Sequence, residues 1–146
     1  MIDRTVIFLD TAYVFALVNT RDQWHTRARQ WQAALTEERR PLLTSEFVLM
    51  EIGAGLATVR FRRHAVQVIE TLAASSLVEV IPASSEVLAA GLALYRNRDD
   101  KEWGLTDCTS FELMRQRGVR DALTTDEHFE QAGFRVLLRE QPQPSL

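Results

Sequence analysis

Apolar residues in this chain follow two patterns, short uninterrupted runs and longer segments with helical spacing. Residues 5–9 (TVIFL) are continuously apolar and rich in β-branched residues, as is typical of a strand buried on both faces. Residues 77–81 (LVEVI) and 134–138 (FRVLL) are short, mostly apolar runs with one charged residue each, and residues 121–125 (DALTT) are a weaker one. The pattern predicts strands in these segments, and the first is expected to lie in the centre of the sheet.

Helical spacing separates these runs. Trp24, Ala28, Trp31 and Leu35 recur at steps of three or four residues and predict an amphipathic helix over 23–38. Further helices are predicted over 12–19, 45–58, 61–74, 82–96 and 106–117, and a last one after residue 126. Capping residues mark several starts: Ser45 or Thr44, Thr106, and a capping box made by Thr124 with Glu127. Trp24, Trp31 and Phe111 are expected in the core.

Strands separated by helices imply right-handed crossovers and a parallel sheet covered on both faces. The predicted fold class is therefore α/β, a three-layer α/β/α arrangement with a central, mostly parallel sheet. A length of 146 residues, 46% of them hydrophobic, fits one domain spanning 1–146. Residues 140–146 are expected to fray.

Composition excludes several classes of protein. The lone cysteine, Cys108, has no Cys/His ligand spacing around it, which argues against a disulfide or a structural zinc site and favours a cytoplasmic location. The first apolar run is interrupted at Asp10, and no stretch approaches the roughly 20 apolar residues of a membrane span. The net charge is -3, yet Lys101 is the sole lysine among 17 lysines and arginines, and several arginines cluster at 60–63, 96–98 and 115–120. These clusters either bind phosphate or are solvated helix faces.

Four segments each end an apolar stretch on a carboxylate: Asp10, Glu51, Asp107 and Asp126. Asp10 and Asp126 follow predicted strands and Asp107 opens a helix, which places all three beyond the carboxyl end of the sheet. Glu51 lies in the middle of a helix, on the face of Phe47 and Gly55, which is expected to be packed. Gly53 and Gly55 in this helix indicate that another group approaches it closely.

Carboxylates about 5 Å apart repel by roughly 3 kcal/mol per pair at an effective dielectric near 20. Four of them need protons or a hard cation, and oxygen ligands favour Mg²⁺ or Mn²⁺. Simpler interpretations exist, since Asp10 could end its strand in an Asx turn and Asp107 and Asp126 could be ordinary first-turn acids. A buried Glu51 is harder to explain without a partner. His25, His64 and His128 lack paired metal spacing and are expected in surface or capping roles.

The order and spacing of VIFLD, TSEFVLMEIGAGL, LTDCTSF and LTTDEHFEQAGF resemble the PIN domain, including the VapC-type toxins of toxin-antitoxin pairs, over about residues 5–138. Two other aspartate-based classes fit less well. A phosphatase of the haloacid dehalogenase type needs a second aspartate at the position of Ala12, and a response regulator needs a lysine near its last strand.

The resemblance implies a metal-dependent ribonuclease that hydrolyses single-stranded RNA, with Mg²⁺ or Mn²⁺ as cofactor. Its catalytic and metal-binding residues would be Asp10, Glu51, Asp107 and Asp126. Thr11, Thr106 and Thr125 each adjoin an acid and could orient it or contact the substrate phosphate. The family also implies a cognate antitoxin partner and a homodimer. The alternative is a PIN-like binding or scaffold module without catalysis.

Overall fold

The protein is described by a computed structural model over residues 4–143, which contain five strands, seven α-helices and one 3₁₀ helix. The strands are β1 (Ile7–Leu9), β2 (Leu42–Ser45), β3 (Val78–Ile81), β4 (Asp121–Leu123) and β5 (Arg135–Val136). The α-helices are α1 (Thr11–Val18), α2 (His25–Glu38), α3 (Glu46–Gly55), α4 (Val59–Ala74), α5 (Ser85–Asn97), α6 (Leu105–Arg117) and α7 (Glu127–Gln131), and the 3₁₀ helix is Leu137–Arg139. None of the helices in this range is long and apolar enough to span a membrane.

The strands form one parallel sheet in the order β3-β2-β1-β4-β5. β1 lies in the centre, where Ile7 pairs with Leu42 on one side and with Asp121 on the other. Its apolar residues are fully buried, as expected of a strand covered on both faces. The predicted three-layer α/β fold with a central first strand is confirmed.

The second strand was not predicted from the sequence. β2 has only four residues (LLTS), two of them polar, and it passes into α3 without a loop. Thr44 Oγ1 donates a hydrogen bond to Leu9 O at 2.9 Å, and Ser45 Oγ accepts one from Val48 N at 3.2 Å. The polar residues that indicated a helix cap therefore also complete a buried strand, and the cap prediction for Ser45 is confirmed.

The chain end differs from the predicted strand over 134–138. β5 stops at Val136, and the next residues form the 3₁₀ helix, where Leu138 N donates to Thr124 O at 3.3 Å. Glu140 is held by Trp31, whose Nε1 donates to its carbonyl oxygen at 2.9 Å. Residues 144–146 lie outside the described range, so the fraying of residues 140–146 stays a prediction.

Close packing fixes the helices that carry the acids. The ring of Phe15 on α1 occupies the space that a Cβ on Gly55 would need, which is the close approach predicted for α3. On α5, a Cβ on Gly91 would lie 3.0 Å from the backbone nitrogen of Thr109, so α5 seats tightly against α6. Phe111 of α6 and Phe129 of α7 pack edge to face with centroids 4.9 Å apart. These contacts hold the first turns of α6 and α7 near each other.

Candidate metal centre

The acidic residues come from four elements that meet at the carboxyl edge of the sheet. Asp10 directly follows β1, and Asp126 follows the adjacent strand β4 by three residues. Glu51 comes from α3, which continues from β2 on the other side of β1, and Asp107 lies in the first turn of α6. The parallel order of the strands thus brings residues distant in sequence to one end of the molecule.

Asp10 is the most deeply buried of these acids, with 4% of its surface exposed. Its Oδ2 accepts a hydrogen bond of 2.8 Å from Thr124 Oγ1. Burial raises the pKa of Asp10 to about 7; the bond from Thr124 opposes this change, and the charges of Asp107 and Glu51 add to it. An ionised Asp10 is therefore costly in the protein without a cation.

We expect the stability of the metal-free protein to depend on the protonation of Asp10. The folded state keeps this proton up to about pH 7, whereas the unfolded chain releases it near 3.8. Because the folded state binds more protons in this window, the free energy of unfolding should fall as pH rises from about 4 to about 7. Urea unfolding in EDTA should show Asp10→Asn protein to be more stable than wild type at pH 8, by up to about 4 kcal/mol. An Asp10→Asn variant that is less stable at pH 8 would contradict this account.

Asp107 is held by the start of its own helix. The N-cap of α6 is Gly104, whose N–H donates to Asp107 Oδ2 at 3.1 Å, so the prediction of Thr106 as the N-cap is wrong. Burial raises the pKa of Asp107, the bond from Gly104 opposes this, and the charges of Asp126 and Glu51 raise the pKa further. The predicted acids therefore interact electrostatically across the cluster.

Glu51 lies at the rim of the cluster rather than on a packed face. Its side chain is partly exposed, and the neighbouring Ala54 and Gly55 are exposed. The helix ends at Gly55 instead of continuing to residue 58. The expected burial of Glu51 is thus wrong, although its charge reaches both Asp10 and Asp107.

His128 joins the cluster, contrary to the prediction of a surface or capping role. Its Nδ1 lies 3.5 Å from Asp107 Oδ2 and 3.4 Å from Asp126 Oδ1. Ligand atoms of these three residues all lie within 4.8 Å of one another. Spacing along the chain could not show this, because Asp107 and His128 belong to different helices. The proximity of His128 to Asp126 in sequence was the only available signal.

Threonines surround the cluster in different ways. Thr11 is buried, and its Oγ1 has no hydrogen-bond partner among residues 4–143. Thr106 and Thr125, which adjoin Asp107 and Asp126 in the sequence, are partly exposed. Thr124, which was expected to form a capping box, instead accepts from Asp126 N at 3.1 Å and donates to Asp10, while Asp126 itself caps α7. Sequence reasoning thus missed the buried hydroxyl that orients Asp10.

Other charged groups are engaged away from the cluster. Arg98 bonds Asp100 at 3.0 Å, so this acid is paired outside the cluster. Arg117 forms a two-pronged ion pair with Glu79, in which both nitrogen–oxygen distances are 2.8 Å. The arginines at 60, 62 and 63 on α4 are exposed. Of the two interpretations of the arginine clusters, a solvated helix face therefore fits the arginines of α4.

The donor set suits a divalent cation. Carboxylates from neighbouring elements lie close together, and burial first, then their mutual repulsion, raises the pKa values of Asp10 and Asp107. Two buried polar atoms nearby, Thr11 Oγ1 and His128 Nδ1, have no hydrogen-bond partner among residues 4–143. A cation would relieve the repulsion and give polar atoms of the cluster a partner.

The fold and this cluster define an α/β protein with a candidate divalent-metal site at the carboxyl edge of its sheet. A family model described as the PIN domain matches residues 7–135, and the chain belongs to this family, whose members are metal-dependent nucleases.

The chain is also similar to individual proteins. It is 29% identical over 129 residues to the 23S rRNA-specific endonuclease VapC20 of Mycobacterium tuberculosis, covering 88% of this chain and 95% of that protein. The crystal structure of VapC20, described as a Sarcin-Ricin loop cleaving toxin, superposes with a TM-score of 0.77. VapBC2 from Rickettsia felis, at 13% identity, shares the fold with a TM-score of 0.64 over 90% of this chain and 96% of the other. FitAcB from Neisseria gonorrhoeae, at 21% identity, also shares the fold, with a TM-score of 0.62 over 89% of this chain and 95% of the other.

Proposed function

We propose that this protein is a divalent-metal-dependent endoribonuclease that hydrolyses phosphodiester bonds of single-stranded RNA. The observation that carries the proposal is the meeting of Asp10, Glu51, Asp107 and Asp126 at the carboxyl edge of the sheet, where they influence one another electrostatically. Membership of the PIN family and the similarity to an endonuclease named for its 23S rRNA specificity support this activity.

In this proposal the acidic quartet holds Mg²⁺ or Mn²⁺, with Asp10 and Asp107 as direct ligands. A bound divalent cation supplies Lewis acidity, which favours ionisation of water and offsets negative charge on the phosphate. Thr124 fixes the orientation of Asp10 through its hydroxyl, and the N–H of Gly104 fixes Asp107. Both carboxylates are thus set before the substrate arrives, which reduces the cost of reorganisation during reaction.

Glu51 has the position of a proton acceptor. Its side chain is partly exposed at the rim, where water and RNA can reach it, yet its charge acts on both Asp10 and Asp107. We propose that Glu51 either accepts the proton that the attacking water loses or binds the cation as a ligand. Thr106 and Thr125, which are partly exposed, are candidates to contact the substrate phosphate, and Thr11, whose backbone hydrogen-bonds Asp10, is a candidate to orient it.

The proposal extends to partners. The neighbouring structures VapBC2 and FitAcB share this fold, and the resemblance to VapC-type toxins supports a role as the toxin of a toxin-antitoxin pair, with a cognate antitoxin as partner. Leu88, Leu92 and Tyr95 form an exposed apolar stripe along α5 at helical spacing, which supports a homodimer. We propose a cytoplasmic location, where the protein would meet cellular RNA.

The decisive experiment incubates purified protein with labelled single-stranded RNA in Mn²⁺, in Mg²⁺ and in EDTA. Cleavage that needs the cation and disappears in EDTA is expected. RNA that binds and remains intact in both cations would favour the alternative, a PIN-like binding or scaffold module.

Metal binding should also stabilise the fold. A cation that binds only the native state should add about 2.7 kcal/mol to the free energy of unfolding at a hundredfold excess over its Kd. The gain should shrink as pH falls, because protons compete for the same carboxylates. Thermal melting with Mn²⁺ and with Mg²⁺ at several pH values measures this effect. A melting temperature that neither cation changes at millimolar concentration and neutral pH would contradict a metal site.

A further inference from the structure

The side chain of His128 stands between two carboxylates of the cluster. It lies in the first turn of α7, and its ring nitrogen Nδ1 faces Asp107 Oδ2 at 3.5 Å and Asp126 Oδ1 at 3.4 Å. Both separations exceed the 2.7–3.2 Å of an ordinary N–H to O hydrogen bond. Proximity to the two acids therefore does not by itself satisfy this nitrogen.

Burial makes the unsatisfied nitrogen informative. Nδ1 is inaccessible to solvent and has no hydrogen-bond partner within residues 4–143, although 26% of the His128 side chain is exposed. A buried polar atom without a partner costs about 1–3 kcal/mol, so such atoms are uncommon in native proteins. The position of Nδ1 is best explained by a bound group that contacts this nitrogen and both carboxylates at once.

The separations fit a shared cation. Two ligands on neighbouring positions around a metal, each about 2.1 Å from it, lie about 3.0–3.4 Å apart in octahedral or tetrahedral geometry. The two nitrogen–oxygen distances, 3.5 and 3.4 Å, are close to the tetrahedral spacing and a few tenths of an ångström longer than the octahedral one. A small rotation of these side chains would therefore place them around one octahedral cation.

Both facing oxygens are also held in place. Gly104 N donates to Asp107 Oδ2 at 3.1 Å, and His128 N donates to Asp126 Oδ1 at 2.8 Å. The backbone bond from His128 to Asp126 ties the position of the imidazole to the carboxylate beside it. Each carboxylate oxygen can still offer its second lone pair to a metal.

We propose that His128 Nδ1 is a nitrogen ligand of the divalent cation, together with Asp107 and Asp126, and that it makes the site prefer Mn²⁺ to Mg²⁺. The inference rests on the proposed function only in placing a cation at the acidic cluster. Mg²⁺ is bound by oxygen ligands, whereas an imidazole nitrogen strengthens binding of first-row transition metals. The site is therefore one of mixed oxygen and nitrogen ligands rather than an all-carboxylate site.

The direct test is pulsed electron paramagnetic resonance of Mn²⁺ bound to the full chain, which detects ¹⁴N coupling from a coordinated imidazole. Wild type should show this coupling and His128→Gln should not. His64→Gln is the matched control, because His64 is an exposed histidine on α4. This variant should keep the coupling. Circular dichroism of each variant establishes that it is folded, and the wild-type spectrum tests the ligand without any substitution.

Calorimetric titration supplies the second readout. His128→Gln should raise the Kd for Mn²⁺ by about tenfold or more, which is the usual effect of losing a group that supports a metal site. The same substitution should raise the Kd for Mg²⁺ much less. His64→Gln should change neither value.

Several outcomes would overturn the inference. Mn²⁺ bound to wild type without nitrogen coupling would exclude His128 as a ligand and leave the proposed nuclease function intact. Equal weakening of Mn²⁺ and Mg²⁺ in His128→Gln would mean that the imidazole only positions Asp107 and Asp126 and does not bind the cation. If wild type binds neither cation, with or without RNA, the inference fails together with the metal dependence of the proposed function.

Discussion

Asp10→Asn protein is expected to lose RNA cleavage by roughly a thousandfold while remaining folded. The substitution keeps the shape of the side chain, and the amide oxygen can still accept the hydrogen bond from Thr124 Oγ1. It removes the negative charge that would hold the cation. Cation binding supplies several kcal/mol of charge stabilisation in phosphoryl chemistry, and each 1.36 kcal/mol corresponds to a tenfold change in rate. Single-turnover cleavage of labelled RNA in excess Mn²⁺ measures the loss.

Asp107→Asn should behave in the same way, because Asp107 is held at the cluster by Gly104. Asp121→Asn is the matched control. Asp121 begins β4, the strand that leads to Asp126, and so lies at the opposite end of the sheet from the cluster. It should retain cleavage close to that of wild type. Full cleavage by Asp10→Asn protein, with a mock purification excluding a contaminating nuclease, would contradict the assignment.

The main features of the fold follow from hydrophobic periodicity. The apolar run at 5–9, rich in β-branched residues, predicted a buried central strand, and its residues Ile7–Leu9 form one that is buried on both faces. β2 was not predicted because two of its four residues are polar. Its pairing with β1 and β3 nevertheless holds this segment as a strand. That pairing depends on distant parts of the chain, so no local pattern contains it.

The sequence allowed prediction of those site residues that follow strands. Asp10 and Asp126 were placed from their positions after β1 and β4, and the carboxyl ends of parallel strands share one edge of a sheet. Thr124 and His128 could not be placed in this way. Thr124 meets Asp10 because β4 pairs with β1, and local pattern does not show that these two strands are neighbours. His128 meets Asp107 through the packing of α7 against α6, where Phe129 contacts Phe111.

Glu51 shows a different limit of sequence reasoning. The helical wheel places its face correctly toward the other acids, and their pKa values respond to its charge. The degree of burial was overestimated, because it depends on which distant elements cover this face of α3, and helical periodicity does not contain that information. A partly exposed acid suits a group that must meet both water and RNA.

The comparison of Glu51 with Glu46 provides the sharpest test of this arrangement within one helix. The two residues are five positions apart, about 140° around a helix with 100° per residue, so their side chains leave α3 in different directions. Glu46 is exposed, and its Oε1 accepts a hydrogen bond of 2.7 Å from Ala83 N, in the loop before α5. Its carboxylate is therefore committed to a contact away from the cluster.

We expect Glu51→Gln to lose most RNA cleavage and most of the stabilisation by Mn²⁺, and Glu46→Gln to keep both. In the Glu46→Gln variant the new amide oxygen can still accept the bond from Ala83, so the change in the free energy of unfolding should stay within about 0.5 kcal/mol. Cleavage rates and melting temperatures with and without Mn²⁺ distinguish the two variants. If Glu46 proved essential and Glu51 dispensable, the carboxylate from α3 would have to reach the cation from the first turn of the helix, and the assignment of the acidic quartet would be wrong at this position.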